Sequence, residues 1–249
     1  AVERLVCRLS TAVKSVSPLN MEFGIREKLY KAEKVQVIGN GGTIGVDMQQ
    51  YAIGKKALWR EEIRKQHGIP TDAFVFGFAG RVSADKGCTE LLSAFRRIAE
   101  ENEKATLLIV GPVEKQCGVD AALLDWAMHC ERVISTGLTK NSKMCRYYSA
   151  MDVLVHPTYR EGFGMVIQEA GALAVPTITT KIIGASEVME DGKSCVLVPS
   201  KDSDALYTAM HAMLTGETDC KKFGEEAYVR TERLYARPLM LENQRQAYM

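Results

Sequence analysis

The sequence predicts a doubly wound α/β domain on a Rossmann-like parallel sheet, and three observations lead there. Short apolar segments recur along the chain from Phe74 onward. Their apolar residues run continuously instead of alternating with polar ones, the pattern of strands buried on both faces. Amphipathic helical stretches separate successive segments, and crossovers of that length return the chain parallel to itself.

Taken in order, the chain opens with helical stretches at Val2 to Leu9 and Glu22 to Tyr30, on either side of an apolar segment at Val13 to Val16. Val35 to Ile38 then runs into Gly39-Asn40-Gly41-Gly42-Thr43-Ile44-Gly45. These glycines miss the G-x-G-x-x-G spacing and no long apolar helix begins directly behind them, so the cluster reads as a hinge or linker in preference to a dinucleotide loop. The expected sheet strands are Phe74 to Ala79, Thr106 to Val110, Val133 to Thr136, Val153 to Val155, Pro176 to Thr179 and Cys195 to Val198. Between them, Gly87 to Glu101 sets Leu91, Leu92, Ala94, Phe95 and Ile98 on one helical stripe. Val119 to Cys130, Ser142 to Ala150, Met165 to Leu173 and Ser203 to Leu214 follow the same period. The charged tail from Gly216 to Met249 reads as two helices broken at Arg237-Pro238.

Composition narrows the function. The 249 residues are 46% hydrophobic, enough for a substantial core, and the formal charge of +1 supplies no global field for nucleic acid. Any anion site must therefore be local. The seven cysteines show no C-x-x-C pair and read as reduced cytosolic thiols. His129 and Cys130 are adjacent, and neighbouring helical residues diverge by about 100°, so they do not read as a metal-ligand pair. No apolar run approaches the ~20 residues that span a bilayer, and Glu3, Arg4 and Arg8 interrupt the apolar core a signal peptide needs.

In doubly wound sheets the ligand lies beyond the carboxyl ends of the strands. The loops expected there are Gly80 to Lys86, Gly111 to Lys115, Gly137 to Asn141 and His156 to Gly164. Arg160 through Ala170 places Glu161 before a glycine-flanked turn and Glu169 within the helix that follows. Glycines beside Phe163 allow a phosphate near backbone N–H groups, and the two carboxylates suit hydroxyl-rich parts of one extended ligand. An acidic helix start plus a solvated glutamate explains the spacing equally well. Gly80-Arg81-Val82-Ser83-Ala84-Asp85-Lys86-Gly87 puts two cations on another loop of the same sheet edge, where a fork-shaped guanidinium and a compact ammonium can together neutralise a diphosphate. Without G-K-[ST] it is not a Walker loop, and a surface loop with two solvated cations is the plain alternative.

This pair of motifs, with the linker, resembles the retaining glycosyltransferases of family four, which have the GT-B fold of two Rossmann-like domains. The landmarks are Val37-Ile38-Gly39-Asn40-Gly41 leading to Gly45-Val46-Asp47, then Gly80-Arg81 with Lys86-Gly87, Leu108 to Gly111, Glu161 through Glu169, and Gly184 with Glu187. The resemblance implies that Arg81 and Lys86 hold the donor diphosphate, with Gly80 beside them, that Glu161 meets donor-sugar hydroxyls and that Glu169 accepts from the ribose. Backbone groups of Phe163, Gly164, Met165 and Val166 complete those contacts, and Leu138 flanks the base or simply ends a strand. The implied donor is a nucleoside-diphosphate sugar, uridine first and guanosine second, with no metal or other cofactor. The implied acceptor is a glycan or a lipid-linked acceptor.

Several positions depart from the common pattern. The linker is longer than Asn-Gly-Val-Asp, a variant that looks like bacterial enzymes of surface or capsular polysaccharide synthesis, and Tyr159 to Gly164 points the same way. Glu169-Ala170-Gly171-Ala172 and Lys181 to Ser186 also differ, which leaves the donor sugar open. The expected organisation is residues 1–33 as a remnant of an acceptor domain, 34–52 as linker, 53–232 as the donor-binding domain and 233–249 as a crossing helix. A chain of this kind is expected to bind nucleotide, to transfer sugar negligibly alone, and to self-associate through apolar surface. The whole enzyme is expected in the cytoplasm, at or near the inner face of the membrane. A noncatalytic nucleotide-sugar binding module, a nicotinamide-dependent dehydrogenase and an interaction scaffold remain alternatives.

Overall fold

A computed structural model describes residues 2–114 and 116–249; Ala1, at the start of the expected remnant, and Lys115, at the end of one expected loop, lie outside the described residues. The chain begins with α1 (Val2–Leu9), β1 (Val13–Ser15), α2 (Pro18–Arg26) and β2 (Val35–Val37), and β1 and β2 pair as a small parallel sheet. The second helix starts earlier than its apolar pattern suggests. Ser17 caps it, accepting from the Asn20 N–H at 3.2 Å, and Pro18 sits in its first turn, while Lys28 at φ 56° ends any continuation toward Tyr30. Helix α3 (Lys56–Gln66) was not expected, because only Trp59, Ile63 and Arg64 of its eleven residues are buried and the apolar stripe is too thin to read.

The large sheet follows with β3 (Phe74–Ala79), α4 (Cys88–Glu101), β4 (Ala105–Val110), α5 (Ala121–His129), β5 (Val133–Ser135), α6 (Met144–Ala150), β6 (Val153–His156), α7 (Met165–Gly171), β7 (Thr177–Thr180), β8 (Cys195–Val198) and α8 (Ser203–Thr215). Its six strands are all parallel in the order β5-β4-β3-β6-β7-β8. The doubly wound architecture expected from the strand pattern is the one observed, with strand bounds moved by a residue or two. One core layer joins the sheet to α3, α6 and α7 through Trp59, Ile63, Tyr148 and Ile167. The other layer packs Leu91, Phe95, Ile98, Leu206 and Met210 of α4 and α8 against Phe76, Leu107 and Val155.

Strand order fixes where a ligand can enter. From β3 the chain steps outward to β4 and β5, then returns to the opposite side of β3 as β6 and steps outward to β7 and β8. The crossovers leave in opposite directions at β3 and β6, so a crevice opens beyond Ala79 and His156.

The tail forms α9 (Cys220–Tyr235) and α10 (Arg237–Tyr248), separated by the single extended residue Ala236 at ψ 133°. Val46 clips that break from outside: its N–H donates to Tyr235 O, and its carbonyl accepts from the Arg237 N–H, both at 2.8 Å. Helix α10 reaches back to the small sheet, where Lys14 Nζ donates to Ala247 O at 3.3 Å.

Candidate active site

The site is built from the loops after β3 and β6. Gly87, at φ +70°, closes the turn Ala84–Lys86 in a conformation that side chains resist, and a Cβ there would come within 2.0 Å of Pro157 O. That close approach presses the β3 loop against the β6 loop. The Tyr159 N–H then donates to Asp85 O at 2.9 Å, and Thr158 Oγ1 to the same oxygen at 3.3 Å. On the far side Gly184, at φ +86°, lies against the Glu161 and Gly162 carbonyls, where a Cβ would approach to 2.4 and 2.6 Å.

Between these supports Lys86 Nζ donates to Glu161 Oε2 at 3.0 Å, with both side chains 20% exposed. His156, the last residue of β6 and only 2% exposed, brings Nε2 to 3.1 Å from the same oxygen. The Gly162 N–H donates to Oε1 at 3.2 Å. Burial opposes ionisation of Glu161, but hydrogen bonds from His156 and Lys86 outweigh it and bring the carboxyl down to about 2. The carboxylate is charged throughout the neutral range.

A cleft of about 340 Å³ adjoins this cluster, walled by Gly80, Arg81, Gly111, Leu138, Tyr148, Met165, Val166 and Glu169 among others. Arg81 is half exposed and paired with Glu114. Leu138 is 85% exposed at the rim. Glu169 lies deeper, with Oε2 accepting from Tyr148 OH at 2.9 Å. Burial raises the Glu169 carboxyl above its usual range, against the lowering effect of the Tyr148 and Tyr51 hydroxyls. The Tyr51 ring lies tilted at 44°, 6.2 Å from the Tyr148 ring, and its buried hydroxyl faces Glu169.

The candidate residues thus divide. Gly80, Arg81, Leu138, Met165, Val166 and Glu169 share the cleft, while Lys86 and Glu161 form the adjoining cluster. The Phe163 ring turns away, edge-on to Tyr235 at 5.7 Å, so only its backbone is available. Gly164 caps α7, and the Gly164 N–H donates to Gly184 O at 3.4 Å. Helix α7 has only seven residues, so its first-turn N–H groups outweigh any long-range dipole. Sequence reasoning missed His156, Tyr148 and Tyr51. A histidine closing an apolar strand next to the site loop was a signal for the first; the tyrosines converge on Glu169 only in three dimensions. Among the described residues no group of three His, Cys, Asp or Glu side chains could hold a metal ion, and no helix is long and apolar enough to cross a membrane.

The family model described as "Glycosyl transferases group 1" matches residues 59–230, a span that holds both loops and both glutamates. The chain belongs to the group 1 glycosyl transferases. Among relatives of this group, the capsular polysaccharide biosynthesis glycosyltransferase CapM of Staphylococcus aureus is 28% identical over 247 residues, covering 99% of this chain and 63% of CapM. A teichuronic acid biosynthesis glycosyltransferase of Bacillus subtilis, TuaC, is 30% identical over 67% of this chain and 39% of its own length. Sucrose-phosphate synthase from Thermosynechococcus elongatus superposes with a TM-score of 0.82 at 25% identity, covering 99% of this chain and 60% of that one. Anabaena HepE, solved with UDP and glucose, gives 0.82 at 22% identity over 99% of this chain and 65% of HepE, and shares the fold. The chain therefore spans under two thirds of the length of these transferases. Within the group its sheet is the C-terminal half of the GT-B architecture.

Proposed function

We propose that this chain is the donor-binding part of a retaining glycosyltransferase of bacterial surface polysaccharide synthesis. It takes a nucleoside-diphosphate sugar, with uridine favoured over guanosine, and the sugar passes to a glycan or lipid-linked acceptor held by the rest of the enzyme. The observation that carries this reading is that one end of the sheet gathers a cleft lined by Leu138, Glu169 and Arg81 and, on the loops after β3 and β6, the Lys86–Glu161 cluster. In this reading Leu138 flanks the base, Glu169 meets the ribose, Arg81 and Lys86 hold the diphosphate and Glu161 meets the sugar.

The chemistry follows from where charge develops. As the glycosidic bond breaks, the departing diphosphate gains negative charge, and Arg81, released from Glu114, and Lys86 stabilise it in place of a metal ion. Backbone N–H groups at Met165 and Val166 add local donors. Glu161, ionised at neutral pH, accepts from sugar hydroxyls and fixes the face presented to the acceptor. Glu169 offers Oε1 to the ribose while Tyr148 holds Oε2.

In this reading residues 1–33 belong with an acceptor domain, 34–52 link, 53–232 bind donor and 233–249 cross back. The chain alone turns over little, its exposed α1 face favours self-association, and the whole enzyme works in the cytoplasm at the membrane's inner face. Thermal-shift measurements with UDP, GDP and NAD, each repeated in EDTA, test the proposal. UDP or GDP is expected to raise the melting temperature with concentration, EDTA to change nothing, and NAD to be inert. Stabilisation by NAD alone would restore the dehydrogenase reading. A noncatalytic module is separated by the full-length enzyme, which must show transfer or slow donor hydrolysis.

A further inference from the structure

The Glu161 carboxylate has about four lone-pair sites. Three are occupied: Lys86 and His156 both bond Oε2, and the Gly162 N–H bonds Oε1. One site on Oε1 remains. An ionised carboxylate only accepts, so His156 Nε2 carries the proton and donates. Among the described residues His156 Nδ1 is buried without a partner, so the ring's one hydrogen bond is the Nε2–H contact to Glu161.

Lys86 has two claims on it. In the donor-binding reading, on which this inference rests, its ammonium serves the diphosphate and cannot also hold Glu161 at full strength. We propose that His156 is a positioning residue for the donor sugar: it keeps Glu161 Oε2 fixed when Lys86 turns to the diphosphate, so that Oε1 faces the sugar hydroxyls. With Lys86 drawn off, His156 and the Gly162 N–H are the remaining holders of a mostly buried carboxylate. Burial of His156 under the sheet end, at 2% exposure, gives the imidazole one orientation and keeps water from replacing it.

The test uses the whole chain carrying His156→Gln, whose side-chain N–H reaches the Nε2 position, or His156→Leu, which removes the donor. Calorimetric affinities are measured for UDP and UDP-glucose, with GDP and GDP-mannose alongside. His156→Leu is expected to weaken the nucleotide sugar about tenfold while leaving the free diphosphate within about threefold, and His156→Gln to restore the sugar-dependent part. Parallel loss for diphosphate and nucleotide sugar would mark a merely structural role and overturn the inference, as would unchanged affinity for both. The Glu161 carboxyl, followed by carbon-detected NMR titration, must also rise in His156→Leu and stay low in His156→Gln; no change there overturns the inference whatever the ligand. Failure of the unaltered chain to bind any of the four compounds would instead sink the donor-site reading.

Discussion

Lys86→Met removes the charge from the Lys86–Glu161 pair while keeping most of the side chain's volume. Both partners are 20% exposed, so the pair lies between a surface ion pair, worth under about 1 kcal/mol, and a fully buried one, whose breaking costs about 3–5. Because His156 still holds Oε2, a loss near 2 kcal/mol is expected, or about 4–8 °C in melting temperature for a chain of this size. The sign with pH is set by Glu161, whose carboxyl is depressed in the folded chain from its ordinary value of 4.5 to about 2. Its stabilisation is complete above 4.5 and is lost as pH falls toward 2. The gap between parent and variant is therefore widest at neutral pH and closes across that window. Urea unfolding at a series of pH values measures it, and UDP affinity of the same samples should fall about tenfold or more. A gap that stays constant through that pH range, or a variant with unaltered UDP affinity, would refute the reasoning.

Other expectations follow from the same geometry. Arg81→Met should leave the melting temperature nearly unchanged, because its ion pair with Glu114 lies at the surface, yet weaken UDP about tenfold in calorimetry. Glu169→Gln should stabilise the ligand-free chain by about 1 kcal/mol at neutral pH. Its raised carboxyl favours the protonated folded form, so the gain over the parent grows as pH climbs through that range, while UDP affinity drops. Gly87→Ala combines φ +70° with a 2.0 Å clash against Pro157 O, so it should cost about 3 kcal/mol or more in denaturant unfolding and weaken nucleotide binding by moving Lys86.

The sheet was legible because its strands carry their own signal. Phe74 to Ala79 and Thr106 to Val110 are apolar on both faces, and that pattern needs no tertiary knowledge. Helix α3 was not, since its buried Arg64 reads as surface until its bonds to Asp152 and the Ala150 carbonyl are seen. The start of α2 was misplaced because a cap, Ser17-Pro18, decided it and not an apolar stripe. In the site, Glu161 and Glu169 stood out through spacing around a glycine turn, and Arg81 and Lys86 through charge beside a strand end. What spacing does not carry is mutual contact. That Lys86 reaches the carboxylate oxygen His156 also holds depends on β3 lying beside β6, that Glu114 holds Arg81 depends on β4 lying beside β3, and that Tyr148 backs Glu169 depends on α6 packing against α7.

The central claim is that the β3/β6 crevice binds a nucleoside diphosphate through the cations on one loop and the acidic groups on the other. Calorimetric titration of UDP into the chain, compared with the doubly altered Arg81→Met, Lys86→Met chain, tests it most directly. One saturable site in the parent, weakened at least a hundredfold in the double variant, is the predicted result. Equal affinity in both, or no binding of UDP or GDP by the folded parent, would contradict the account.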